Sequence, residues 1–275
     1  MIRIVAFFAL LGFALAGPCK PYELPSMYSS YQEMCQQMVR EDDSLWHSRF
    51  ENGAQPGRDT PFPLQGAVLG CLAGRTSQAM AGTLGLDVWS GKVLSPWDYS
   101  TRSASVTNIL ISGSSSLNVP DWTHGFSTYT WFNGKITSGT ALSASGGSAF
   151  VIDYSVPLLE NVINPYAGLV VGTRDEVRAA GPGMVIGRTW AKPFTTLNPT
   201  PIAVNQGLTF VLFQLCTADG NYAMTPEQRD FTPARTPTLP PPAPRPRPSY
   251  FAGYSNVQIA STSDSGSADQ TPAQT

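Results

Sequence analysis

Between residues 86 and 216, apolar positions recur in short runs of the length and alternation expected of half-buried strands. The runs 86–94, 105–112, 126–136, 148–156, 168–172, 184–190 and 208–216 are predicted strands, separated by Gly, Ser, Pro and Asn turns. Asn133-Gly134 is a hairpin signal, although Phe132 and Ile136 could equally continue one strand through a bulge. Residues 168–190, GLVVGTRDEVRAAGPGMVIGRTW, read as strand, short helical turn, strand. Thr173 and Glu176 have the spacing of a capping box, Asp175 adds negative charge to the first turn, and Gly181-Pro182-Gly183 stops it. Upstream, Met27, Tyr31, Met34, Cys35 and Met38 recur at helical spacing over 24–41, with Pro25 and Ser26 ahead of them. Residues 51–63 read as loop, and 64–73, LQGAVLGCLA, as a second short helix. Several short strands without crossover helices make the fold mainly β, an antiparallel barrel or sandwich. About seven or eight alternating strands suffice to close a small barrel.

Composition changes this picture at the two ends. The first residues, MIRIVAFFALLGFALA, carry one arginine, an apolar run and Ala14-Leu15-Ala16, the pattern of a signal peptide spanning 1–16. Residues 17–63 then form an N-terminal helical segment and loop, and 64–222 the barrel domain. Residues 223–275 form a tail: 233–248 is rich in proline and expected in polyproline II, and the Ser/Thr-rich remainder is expected to be disordered. A secreted protein with no membrane span follows. Its cysteines, Cys19, Cys35, Cys71 and Cys216, then form two disulfides. Of three possible pairings, Cys19 with Cys35 and Cys71 with Cys216 is the one expected here.

Charge excludes more than it suggests. Charged residues are 13% of the chain against about a quarter in ordinary domains, and the net charge of −2 gives no footprint for nucleic acid. No Cys/His cluster has metal-ligand spacing, so neither a metal nor a cofactor is expected. With only His47 and His124, and no G-x-S-x-G, a nucleophilic triad is a poor fit. If the protein is an enzyme, its acid–base candidates are Asp153 at a strand end, Glu176, Arg178 and His124. Aromatic residues are the better lead: Trp131, Phe150 and Tyr154 lie in or beside predicted strands, where inward-facing positions form an apolar ligand wall.

Trp89-Ser90-Gly91-Lys92, Ile152-Asp153-Tyr154-Ser155, and Asp175-Glu176-Val177-Arg178 followed by Gly181-Pro182-Gly183 and Gly187 together resemble a family of small proteins built on a lipocalin-like (calycin) barrel. The resemblance covers about residues 64–216, with 175–187 its most specific part. It implies an antiparallel lipocalin-like β-barrel in which Arg178 or Arg188 stacks on Trp89 to close the barrel floor, making Trp89 and Arg188 structural, while Thr173 is structural through its capping box. It also implies a small hydrophobic ligand, such as a lipid, pigment or isoprenoid, as the partner. A secreted isomerase, cyclase or lyase acting on a lipophilic substrate in the barrel is the alternative, and an extracellular-matrix-associated protein with a functional tail a third.

Overall fold

The computed structural model describes residues 18–84, 88–111, 128–143, 146–154, 173–191 and 208–234. The signal-peptide segment, His124, the predicted strand 168–172 and the proline-rich tail from residue 235 onward lie outside them. Two helices come first, α1 (Tyr31–Met38) and α2 (Asp43–Glu51). Ser30 caps α1 by accepting from the Glu33 amide, and Asp42 caps α2 by accepting from the Ser44 amide. After β1 (Gly66–Ala73) comes α3 (Arg75–Leu84), then β2 (Trp89–Leu94), β3 (Ser103–Ile111), β4 (Thr128–Thr140) and β5 (Ser148–Asp153). The strands β6 (Thr173–Gly181), β7 (Met184–Ala191) and β8 (Thr209–Phe213) follow.

Each strand pairs antiparallel with the next, and β1 pairs with β8 through Leu69↔Phe213 to Ala73↔Thr209, so the sheet closes into an eight-stranded barrel. Closure leaves no free sheet edge among the eight strands. All eight contribute to one inward cluster of buried apolar residues, including Val68, Leu94, Val106, Ile136, Phe150, Ile152, Val177, Val185 and Leu212. Alternate residues build a second core outside the wall. There α1 and α2 lay Met34, Cys35, Met38, Trp46 and Phe50 among Leu69 and Cys71 of β1, Ile186 of β7 and Val211 and Phe213 of β8. Two faces of one sheet are thus buried where the helices cover it.

That double burial explains the places where the structure departs from the sequence reading. Residues 64–73 are not helical: every residue of β1 is buried, so the strand shows a continuous apolar run, which cannot be told from a buried helix by periodicity. The turn expected at 173–181 is strand β6, with Pro182-Gly183 as the tip of a β6–β7 hairpin and Gly183 at φ 65°. Its inward Asp175 and outward Glu176 are both charged and both buried, which masks the two-residue period. The Thr173–Glu176 capping box does not form; the Glu176 carboxylate accepts instead from the Leu142 amide and Arg174. Asn133-Gly134 lies within the single strand β4, whose register shifts opposite Thr107 and Asn108.

Cysteine pairing also differs from expectation. Cys35 is bonded to Cys71 and Cys19 to Cys216. The reason is layering: α1 lies over the outer face of β1, and the segment at Cys19 runs beside the turn after β8, where its amide donates to the Gly220 carbonyl at 3.1 Å. Packing continues beyond residue 222, since Ala223 is buried and the guanidinium of Arg229 donates to the Val68 carbonyl at 3.1 Å. Among the described residues no helix is long and apolar enough to cross a membrane.

Candidate functional site

Local backbone features place Trp89 in the lumen. A bulge between Trp89 and Gly91 shifts the β2–β3 register, and Gly91 takes φ 143° with its missing Cβ position 2.1 Å from the Val68 carbonyl oxygen. No side chain is accommodated there without moving the backbone. Across the strand pair, a Cβ on Gly70 would fall 2.4 Å from the Trp89 ring. The indole therefore lies where two glycines leave room. It packs edge-on against Phe210, with ring centroids 5.5 Å apart.

Next to it the apolar lumen holds a polar group. The Lys92 ammonium donates to Asn108 Oδ1 at 2.7 Å, to the Tyr154 hydroxyl at 2.5 Å and to Asp175 Oδ2 at 3.1 Å. The Tyr154 hydroxyl in turn donates to Asp175 Oδ2 at 2.7 Å, and Thr189 donates to Asp175 Oδ1 at 2.7 Å. Trp89 Nε1 donates to Asn108 Oδ1 at 3.0 Å, while Asn108 Nδ2 donates to the Phe132 carbonyl at 3.3 Å. Phe132 sits at φ 59°, an unusual value for a side chain of this size, and the β4 register shift turns its ring into the lumen and its carbonyl to Asn108. Five strands supply the group: β2, β3, β4, β6 and β7, with Tyr154 just past β5.

Lys92 Nζ lies 5.5 Å from the Trp89 ring centre, 5.2 Å from Tyr154 and 5.3 Å from Phe210, within cation–π range of all three. Burial pushes its ammonium below the usual lysine value, with Asp175 pulling it back up. Burial, reinforced by the Asp175 carboxylate, holds the Tyr154 phenol well above its ordinary value. A raised phenol stabilises the fold fully below the unfolded value of 10.0, and that contribution is lost as pH rises through the higher folded value. In an alkaline absorbance titration, wild type is therefore expected to retain a late-ionising tyrosine that Tyr154→Phe lacks. Tyr31, pushed up to about 12 by burial, provides a second late signal in both proteins. Identical tyrosinate curves for the two would overturn the assignment.

Of the residues expected to form an acid–base site, Asp153, Glu176 and Arg178 do not share this group, and His124 lies outside the described residues. Asp153 is exposed and Glu176 and Arg178 are buried on the outer face of the wall, because alternation sends Asp153, Glu176 and Arg178 outward where Ile152, Asp175 and Val177 point in. Arg178 donates to the Phe50 and Glu51 carbonyls, the Glu51 carboxylate and the Gly146 carbonyl, at 3.4, 3.1, 3.1 and 2.6 Å. Arg188 lies over Phe50 and Trp190. Neither arginine stacks on Trp89, which the wall separates from them; the cation at the Trp89 ring is Lys92.

Among the ligand-wall candidates, Tyr154 belongs to the polar group. Phe150 faces the lumen with its ring taken up by Phe62 at 5.0 Å and Trp97 at 6.1 Å. The side chain of Trp131 lies outside the described residues. Sequence reasoning missed Asn108 and Thr189 and gave Lys92 and Asp175 no chemical role. The legible signal was Lys92 itself, a lysine among apolar strand residues in a charge-poor chain.

No family model matches the chain, and no curated protein matches it. Among solved structures, a protein from Thermomonospora curvata is similar at 17% identity and a TM-score of 0.37, over 66% of this chain and 97% of that one.

Proposed function

We propose that this is a secreted, lipocalin-like barrel that binds a small, largely apolar molecule through one polar head. The observation that carries this reading is the Lys92–Asp175–Tyr154–Asn108 group inside an otherwise apolar lumen. A buried ion pair is a poor stabiliser: desolvation offsets its attraction, and apolar residues of similar size commonly do as well or better. A barrel selected only for stability is better filled by leucine. Phe62, Trp97 and Phe150 occupy one part of the lumen, so the ligand body lies instead on the side of Trp89, Leu110 and Phe132. The two disulfides are in keeping with a secreted chain.

Native mass spectrometry of the full chain, with Trp fluorescence titrations using decanol, decanoic acid and decanal, tests this proposal. Saturable binding of at least one probe, weakened tenfold or more by Lys92→Met, is expected. Indifference to all three, with only the mass of the bare chain, overturns it. One feature favours an enzyme as the second reading: the Tyr154 hydroxyl bridges an ammonium and a carboxylate and has a route for passing a proton. In that case acid–base work belongs to Lys92, Tyr154 and Asp175, and Tyr154→Phe lowers turnover by a far larger factor than it weakens probe binding.

A further inference from the structure

We infer that Lys92 is a carbonyl-capturing lysine, whose Nζ forms a reversible Schiff base with an aldehyde or ketone ligand while Asp175 serves as the counter-ion. This rests on the binding reading above and adds the ligand's chemical class. The chain has four lysines, Lys20, Lys92, Lys135 and Lys192. Lys20 and Lys135 are exposed, whereas Lys92 is buried in the lumen, with carboxylate, phenol and amide all within hydrogen-bond reach.

The surroundings suit each stage of imine formation. Attack requires the neutral amine, which burial favours, and the Asp175 carboxylate at 3.1 Å is placed to take the first proton. The nitrogen lone pair then forms the C–N bond, and the carbonyl π electrons move to oxygen. Tyr154, donating to the same Asp175 oxygen at 2.7 Å and lying 2.5 Å from Nζ, can relay that proton to the carbinolamine oxygen. A second proton, from the nitrogen, converts the hydroxyl to leaving water as the C=N bond forms. The sum is an ammonium and a carbonyl giving an iminium and one water, with no oxidant or reductant consumed.

The product is as well supported as the starting amine. An iminium keeps one N–H and its charge, so Asp175 still pairs with it. The acceptors released from Lys92 retain partners: Asn108 Oδ1 keeps the Trp89 indole N–H, and the Tyr154 hydroxyl still donates to Asp175. The rings of Trp89, Tyr154 and Phe210, all within 5.5 Å of Nζ, suit a delocalised cation. A surface lysine has none of these.

The test is reductive trapping. Full-length protein is incubated with substoichiometric decanal and sodium cyanoborohydride near neutral pH, and the four lysines are mapped by peptide mass spectrometry. The expected result is an adduct at Lys92 at least tenfold more abundant than at Lys20 or Lys135, and absent from Lys92→Arg. Decanol, which cannot form an imine, is titrated in parallel by fluorescence. Decanol and decanal binding alike without a Lys92 adduct overturns the covalent step and leaves the binding reading intact. Failure of decanol and decanal to bind overturns the carbonyl inference, and failure of decanoic acid as well overturns the binding reading. Should Lys92→Arg not fold, the wild-type map alone decides, because adducts confined to the exposed lysines also overturn the inference.

Discussion

Replacing Asp175 by asparagine is expected to cost about 3–5 kcal/mol of unfolding free energy, the usual penalty for leaving one member of a buried ion pair without its partner. Lys92 stays inside the lumen, with an amide where its counter-ion stood. The loss is bounded by deprotonation, since the lysine can shed its proton rather than remain charged. This sets the pH dependence. Burial already depresses the folded lysine below its unfolded value of 10.5, and removing Asp175 depresses it further. In the window between the folded value and 10.5 the unfolded chain binds more protons than the folded one, so the stability of Asp175→Asn rises with pH across that window. Urea denaturation at several pH values measures this. The double variant Lys92→Met/Asp175→Asn should be more stable than Asp175→Asn alone, because the stranded charge is gone. A single variant within 0.5 kcal/mol of wild type, or a double variant that loses the sum of the two single effects, would mean that the pair is not buried as described.

The strand pattern was legible because the barrel's antiparallel neighbours alternate wherever one face meets water. It failed where both faces are covered. β1 shows eight buried residues in succession and took on the look of a helix, and β6 carries charges on both faces and took on the look of a capped turn. The helix α3, RTSQAMAGTL, went unseen. The same cause misdirected the search for a site. Asp153, Glu176 and Arg178 stood out as chemistry in a charge-poor chain, yet one-residue alternation puts them outside the wall and Asp175 within it. Sequence alone does not reveal which phase of a strand faces the lumen when polar residues occupy both. Nor could spacing bring Lys92 to Tyr154 and Asp175, which are 62 and 83 residues away and meet only when the barrel closes.

Replacing Arg178 by methionine is expected to cost about 3–5 kcal/mol as well, but without touching the lumen. The guanidinium is wholly buried beneath α2, where it lies over the Phe50 ring at 4.8 Å and binds carbonyls on both α2 and the β4–β5 connection. A fork of planar donors is needed to serve carbonyls in several directions, so Arg178→Lys should recover only part of the loss. Because Glu51 also lies 3.8 Å from Arg188, its carboxylate retains one cation in the variant, and the main penalty comes from the carbonyls. The two sites are therefore separable by experiment. In the folded fraction of Arg178→Met, the late-ionising Tyr154 and the affinity for decanol should match wild type, whereas both should change in Asp175→Asn. If Arg178→Met folds with wild-type stability and instead loses probe binding, the outer charged face beneath α2 is the functional site and the lumen group is a structural plug.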